Sequence, residues 1–106
     1  MVQTISELFR AAEALEAARN TAGAVEFYKR WIALNPDDPH RPAALFNMAV
    51  SMQRAGDPFG AINALREAIR ANPDFHPPYI NLGRLLEDLG QAGQAVNQWL
   101  ALSNAL

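Results

Sequence analysis

The sequence contains no cysteine among its 106 residues. This absence excludes disulfide bonds and thiolate metal sites, which hold together many small secreted domains. It is also typical of reducing compartments, so we expect a cytoplasmic protein. Half of the residues are hydrophobic. A chain of this length and composition can form a single domain with a modest core of its own.

The sequence also lacks a large excess of either positive or negative charge. The formal net charge is −2 at pH 7, and no run of five or six like charges occurs. We therefore expect no nucleic-acid partner and no binding to an anionic membrane surface. Nor is there a long apolar run in the first twenty residues, where charged residues recur at roughly helical spacing. This spacing excludes a signal peptide or a membrane span in that segment.

The usual signatures of catalysis are absent too. The sequence has no Gly-rich phosphate loop and no nucleophile elbow. Adjacent carboxylates, such as those of Glu87 and Asp88, point apart on a helix. His40 and His76 occupy equivalent loops, but their spacing matches no metal-binding motif. We expect no catalysis within this chain, no cofactor and no metal site.

What the sequence does contain is a repeat with an offset of 34 residues. The matching pairs are Leu45 and Tyr79, Asn47 and Asn81, Met48 and Leu82, Ala49 and Gly83, Met52 and Leu86, Gly56 and Gly90, Ala61 and Ala95, and Leu65 and Trp99. Self-similarity at this period is typical of helical hairpins, which must stack on their neighbours to bury their apolar faces. The repeat therefore predicts a structure that binds rather than one that catalyses.

Start and stop signals divide the chain into six predicted helices. Their approximate ranges are 5–18, 22–34, 42–54, 58–71, 77 or 78 to 90, and 92–106. Thr4 and Glu7 have the spacing of a capping box, and Asp57 followed by Pro58 is a favourable helix start. Gly56 suits the left-handed residue that closes a helix.

This order of residue types resembles the tetratricopeptide repeat family over nearly the whole chain. In that family, the first helix of each repeat carries large, large, small and large residues in that order. The second helix carries a small residue and an aromatic residue, and a proline closes the repeat. The matching residues are Leu8, Ala11, Ala12, Leu15, Ala24, Tyr28 and Pro36 in the first copy, Leu45, Met48, Ala49, Met52, Ala61, Leu65, Ala68 and Pro73 in the second, and Tyr79, Leu82, Gly83, Leu86, Ala95 and Trp99 in the third. The resemblance implies an all-α fold of three helix-turn-helix hairpins, stacked as a short right-handed superhelix. It also implies a single domain over residues 1–106, with repeats at about 5–38, 42–75 and 76–106.

The first copy departs from this pattern in three ways. Arg19 stands where the other copies have Gly56 and Gly90, and Trp31 stands where the family prefers a small residue. Three additional residues, 39–41, lengthen the connection to the second copy. We therefore expect the first hairpin to stack at an altered angle, with Trp31 buried in the added space.

The resemblance implies that a peptide or protein segment binds to the concave face, which the first helix of each hairpin lines. Residues one helical step away from the packing stripe should form that face. The candidates are Phe9, Arg10, Glu13, Phe46, Asn47, Val50, Arg54, Ile80, Asn81 and Arg84. Asn47 and Asn81 lie one repeat apart, and their amides can pair with a peptide backbone of any sequence. The alternative is that each asparagine caps or bridges within its own repeat, or meets solvent.

A receptor for acidic peptide tails requires several cations along the groove. Here the face instead carries repelling negative charge, from Glu13, Glu16, Glu87 and Asp88. Phe9, Phe46 and Ile80 occupy the equivalent positions in the three copies. They predict an apolar strip with arginines beside it. Such a surface suits a mixed peptide or an amphipathic helix.

Two other functions are compatible with the sequence. The Asn-Pro-Asp and Asn-Leu-Gly segments are similar to the amino-terminal repeats of bacterial SPINDLY-type O-linked N-acetylglucosamine transferases. That resemblance implies a substrate-recruiting arm, with a catalytic domain beyond Leu106 in a longer protein. Alternatively, the apolar face of the sixth helix forms a homodimer. The residues of that face are Ala95, Val96, Trp99, Leu100 and Leu102.

Overall fold

The computed structural model describes residues 4–90, 94, 97 and 101–104. Within this part of the chain there are five helices: α1 (Ile5–Ala17), α2 (Thr21–Leu34), α3 (Arg41–Arg54), α4 (Pro58–Ala71) and α5 (Pro77–Asp88). Residues 94, 97 and 101–104, in the sixth predicted segment, are also helical, and no strand occurs among the described residues. The predicted all-α hairpin fold is confirmed, and the five helices begin and end within two residues of the ranges expected from the sequence.

Side-chain caps begin three of the helices. Thr4 Oγ1 accepts a hydrogen bond from Glu7 N at 3.2 Å, and the Glu7 carboxylate accepts one from Thr4 N at 3.5 Å, which completes the predicted capping box. Asp57 Oδ1 accepts from Gly60 N at 3.0 Å. Asn20 Oδ1 accepts from Gly23 N at 2.9 Å, so α2 begins one residue earlier than its sequence suggested. Each cap satisfies a backbone N–H that the first helical turn leaves without a partner.

The helices pack in chain order, each chiefly on the helix before it and the helix after it. The molecule is accordingly elongated, with extents of 41 × 28 × 17 Å. Ala12 and Ala49 are buried in the continuous core, where their small side chains allow the helices to approach closely. The largest fully buried residues are Leu8, Leu45, Leu65, Pro78, Leu82 and Leu86.

Trp31 belongs to this core despite its irregular position in the repeat pattern. Only 3% of its surface is exposed, and it joins the cluster that includes Tyr28 and Leu45. The Asn35 side chain donates a hydrogen bond to the Trp31 carbonyl at 2.8 Å, close to the end of α2. The expectation that Trp31 is buried is confirmed.

Most of the predicted dimer face lies outside the described residues. This applies to Ala95, Val96, Trp99 and Leu100, whereas Leu102 is described and half-buried. In the described part of the chain, no helix has both the length and the apolar character needed to cross a membrane.

Candidate functional site

A cavity of about 320 Å³ opens between α1 and α3, the first helices of two successive hairpins. We call it the α1/α3 cavity. Its lining residues are Phe9, Glu13 and Glu16 from α1, Tyr28 from α2, and Asn47, Val50, Ser51 and Arg54 from α3.

Helical periodicity explains why these residues share one surface. The α1 residues are spaced by four and three positions, and the α3 residues by three, one and three positions. Side chains at such spacings lie along one face of a helix. The intervening residues Met48, Ala49 and Met52 belong to the buried core. The helix α3 therefore supplies core contacts from one face and part of the cavity wall from another.

Two aromatic side chains form one part of the cavity wall. The Phe9 and Tyr28 rings lie 6.4 Å apart between centroids, with an angle of 59° between their planes. This geometry falls in the range favoured by aromatic pairs. Tyr28 is buried and comes from α2. It thus fills space between helices, as the repeat pattern predicts, and also lines the cavity.

An ion pair joins the two helices across the cavity. Arg54 Nη1 lies 2.7 Å from Glu16 Oε2. The Glu16 side chain is only 18% exposed, whereas that of Arg54 is 63% exposed. The second carboxylate oxygen, Glu16 Oε1, is buried and has no hydrogen-bond partner among the described residues. The carboxylate is therefore only half satisfied, although charged groups with little access to water usually have a full set of partners.

Burial and nearby charges act on the Tyr28 hydroxyl at the cavity wall. The pKa of Tyr28 is raised above its ordinary value, first by burial and next by the negative charge of Glu16. Glu13 raises the same pKa further, and Arg54 opposes these effects with a contribution smaller than that of Glu16. The two carboxylates therefore outweigh the single guanidinium at the tyrosine hydroxyl.

The structure brings five of the ten predicted site residues to this cavity: Phe9, Glu13, Asn47, Val50 and Arg54. Sequence reasoning assigned Tyr28 to packing alone and did not single out Ser51. Ser51 is 3% exposed and follows Asn47 by four positions, so helical spacing from Asn47 is the signal that points to it.

The other five predicted residues do not line the α1/α3 cavity. Arg10 and Arg84 are exposed, and Ile80 and Asn81 are half-buried on α5. The Phe46 ring packs edge-on against Phe75, with centroids 6.0 Å apart and planes at 88°. Phe46 thus packs against the connection between α4 and α5 and does not line the cavity.

Asn47 has a contact inside its own helix. Its side-chain nitrogen donates a hydrogen bond to the Ala43 carbonyl at 3.0 Å. This is the bridging within a repeat that the sequence left as an alternative to backbone binding. One of the two amide hydrogens is engaged in this way, so a peptide carbonyl would have to pair with the other.

Metal-ligating groups are dispersed in the part of the chain that the structure describes, where no three His, Asp or Glu side chains come together. The nearest approach to such a site is the exposed pair of His40 Nδ1 and Asp38 Oδ1, 3.1 Å apart. Two such groups fall short of the three or four protein ligands of a typical zinc site.

Several solved structures share this fold. A crystal structure of MamA superimposes with a TM-score of 0.78 and 19% sequence identity, covering 96% of this chain and 58% of that one. A second MamA crystal structure has a TM-score of 0.78 and 22% identity, and the match covers 89% of this chain and 50% of that one. A MamA RS-1 ArsTM double mutant has a TM-score of 0.80 and 17% identity, and the match covers 94% of this chain and 55% of that one. The chain thus spans between 50% and 58% of the length of these proteins. At such identities the likeness concerns the fold alone.

Among curated protein sequences, none matches the chain at a significant level. Family models do match. Two models described as tetratricopeptide repeat match residues 8–39 and 43–74, which together make up more than half of the chain. The matched segments correspond to the first two hairpins, α1 with α2 and α3 with α4. The chain therefore belongs to the tetratricopeptide repeat family.

Proposed function

We propose that this chain is a non-catalytic scaffold that binds a peptide or protein segment along its concave face, and that it works in the cytoplasm. Tetratricopeptide repeats are typically protein-interaction modules, and two such repeats are matched here. The α1/α3 cavity is the observation that carries the proposal. It lies between the first helices of successive hairpins, which are the helices that line the concave face in repeat proteins of this kind.

The lining of the cavity suits a peptide better than a reaction. Carboxylate, hydroxyl, amide and aromatic groups stand side by side. None of them forms a nucleophile and base pair like those of hydrolytic enzymes. The proposed surface also includes Ile80 and Asn81, which are half-buried on α5 and lie one repeat beyond Phe46 and Asn47 in the sequence. Such mixed surfaces hold peptides through apolar contacts together with hydrogen bonds to the backbone.

A selection from a random peptide library displayed on phage tests this proposal. We expect the whole chain to select peptides whose binding is lost in Val50→Trp, because the indole would fill the cavity. The matched control is Ile69→Trp on α4, which enlarges a half-buried aliphatic residue that does not line the cavity. Helicity and thermal melts should show both variants folded. Undiminished binding to Val50→Trp would place the partner surface elsewhere.

The asparagines need a separate test. Asn47→Ala and Asn81→Ala should each weaken binding of the selected peptides by roughly 0.5 to 1.5 kcal/mol, the net value of a typical hydrogen bond. Asn63→Ala, at an exposed position of α4, is the matched control and should leave affinity unchanged. Because the contact is to peptide backbone, the loss should be similar for peptides of different sequence. Wild-type affinity in the double variant would rule out the asparagine contacts but not the groove.

A further inference from the structure

We propose that the α1/α3 cavity receives the cationic head group of a lysine or arginine side chain from the bound segment. This inference rests on the proposed function and adds the chemistry of the partner at one position. It assigns to the cavity a preference opposite to that of a receptor for acidic tails.

Charge complementarity is the first argument. The cavity is lined by two carboxylates, Glu13 and Glu16, and by one guanidinium, Arg54. The balance is one uncompensated negative charge, and of the two carboxylates that of Glu16 has little access to water. A cation from a ligand would neutralise it, whereas an acidic side chain would add repulsion.

The incomplete pairing of Glu16 is the second argument. Arg54 reaches only Oε2, and Oε1 is buried without a partner among the described residues. The terminal torsion of a glutamate side chain is soft, so a small rotation of the carboxylate would turn Oε1 toward the cavity. A carboxylate can accept from two cationic donors at once. The ligand's head group would thus pair with Oε1, while the exposed Arg54 side chain can follow Oε2 as the carboxylate turns.

The remaining wall fits the rest of a basic side chain. Phe9, Tyr28 and Val50 supply apolar surface for the methylene stem of lysine or arginine. The aromatic rings can also attract the cation itself. The volume of about 320 Å³ is at the small end of the range of roughly 300 to 1,000 Å³ for small-molecule sites. It is therefore suited to one side chain rather than to a larger compound.

The experiment uses short blocked alanine peptides that differ only in their central residue: arginine, lysine, citrulline or glutamate. Citrulline has nearly the shape of arginine without its charge. The peptides are titrated into the isotope-labelled chain, and the amide signals of Val50, Ser51 and Arg54 are followed by NMR. We expect arginine and lysine peptides to bind roughly tenfold more tightly than citrulline, which corresponds to about 1.4 kcal/mol. The glutamate peptide should bind least.

Variants then connect this preference with the carboxylates. Glu16→Gln preserves the shape and removes the charge, so the ratio of arginine to citrulline affinity should fall to about one. Glu26→Gln is the matched control, because Glu26 is exposed on α2 and forms an ion pair with Lys29 one helical turn away. The control should keep the preference. If Glu16→Gln fails to fold, Glu13→Gln replaces it as the test variant. Glu13 lines the same cavity and is exposed, so its substitution should leave folding intact, and the preference for arginine should fall.

Three results would overturn the proposal: equal affinity for arginine and citrulline peptides, an unchanged preference in the carboxylate variants, or no shift of the cavity amides with any peptide. None of these results affects the scaffold function, because that function is tested with peptides selected without regard to charge. Conversely, if the library yields no binder while the short arginine peptide still shifts the cavity amides, the extended groove of the scaffold proposal is contradicted and the cation site is supported.

Discussion

Arg19 adopts the left-handed backbone conformation that glycine adopts in the other two hairpins. Its φ is 59°, compared with 81° at Gly56 and 77° at Gly90. The turn hydrogen bonds are also equivalent, because Asn20 N donates to the Leu15 carbonyl at 2.8 Å and Asp57 N to the Met52 carbonyl at 2.9 Å. A side chain in this conformation costs roughly 1 to 2 kcal/mol. The turn between α1 and α2 therefore holds an arginine at a position where glycine is more stable.

We expect Arg19→Gly to stabilise the chain by about 0.5 to 1 kcal/mol. The released strain is partly offset by the greater freedom of glycine in the unfolded chain. Chemical denaturation measures the difference. The converse change, Gly56→Ala, should cost about 1 kcal/mol for its backbone alone, because an added Cβ would meet no atom within 4 Å. A destabilised Arg19→Gly variant would show that the arginine side chain makes contacts that outweigh the strain.

Tyr28 should make stability depend on alkaline pH. Its folded-state pKa lies above the ordinary value of 10.0 because of burial and the neighbouring carboxylates. The unfolded chain therefore loses this proton first as pH rises, and the stabilising contribution, complete below about pH 10, is lost as pH climbs toward the folded pKa. Tyr28→Phe should show a shallower decline of unfolding free energy between about pH 9 and pH 11. The same slope in both proteins would contradict this assignment.

At the scale of the element, α1 depends on its capping box. Thr4 and Glu7 satisfy backbone donors reciprocally at the start of the helix, and no other helix of the described part has this device in full. Because α1 packs chiefly on α2 alone, it has fewer tertiary contacts to replace a lost cap.

We expect Thr4→Ala to cost about 1 kcal/mol, the usual value for an N-cap residue. Thr4→Ser keeps the hydroxyl and is the matched control, so it should be nearly neutral. Hydrogen exchange would detect the loss as faster exchange confined to α1. Slow exchange throughout α1 in Thr4→Ala would show that packing on α2, rather than the cap, determines its stability.

At the scale of the whole molecule, contacts between successive helices hold the stack together. Trp31, on α2, belongs to the core cluster that extends from α1 to α5. We expect Trp31→Ala to lose roughly 3 to 5 kcal/mol, the range for truncating a buried large aromatic residue. A chemical melt measures this loss. A value below about 1 kcal/mol would mean that the neighbouring helices close the space left by the indole.

Self-association through the sixth helical segment stays a prediction. Leu102 is half-buried, so Leu102→Glu should give a monomer with unchanged helicity if that face forms a dimer. Light scattering at several concentrations would decide, because a dimer through an apolar face depends on concentration. A wild-type chain that stays monomeric at high concentration would exclude this dimer.

The sequence by itself determined the approximate ranges of the five described helices, the caps at Thr4 and Asp57, and the family. Those features depend on local chemistry: Thr4 and Glu7 are three positions apart, Gly56 has no Cβ, and apolar residues recur with helical spacing. Only the tertiary structure decided which residues share the α1/α3 cavity. Glu16 and Arg54 are 38 positions apart, and Tyr28 enters from a helix assigned to packing. Their meeting depends on how one hairpin stacks on the next, and no periodicity within a single helix specifies that.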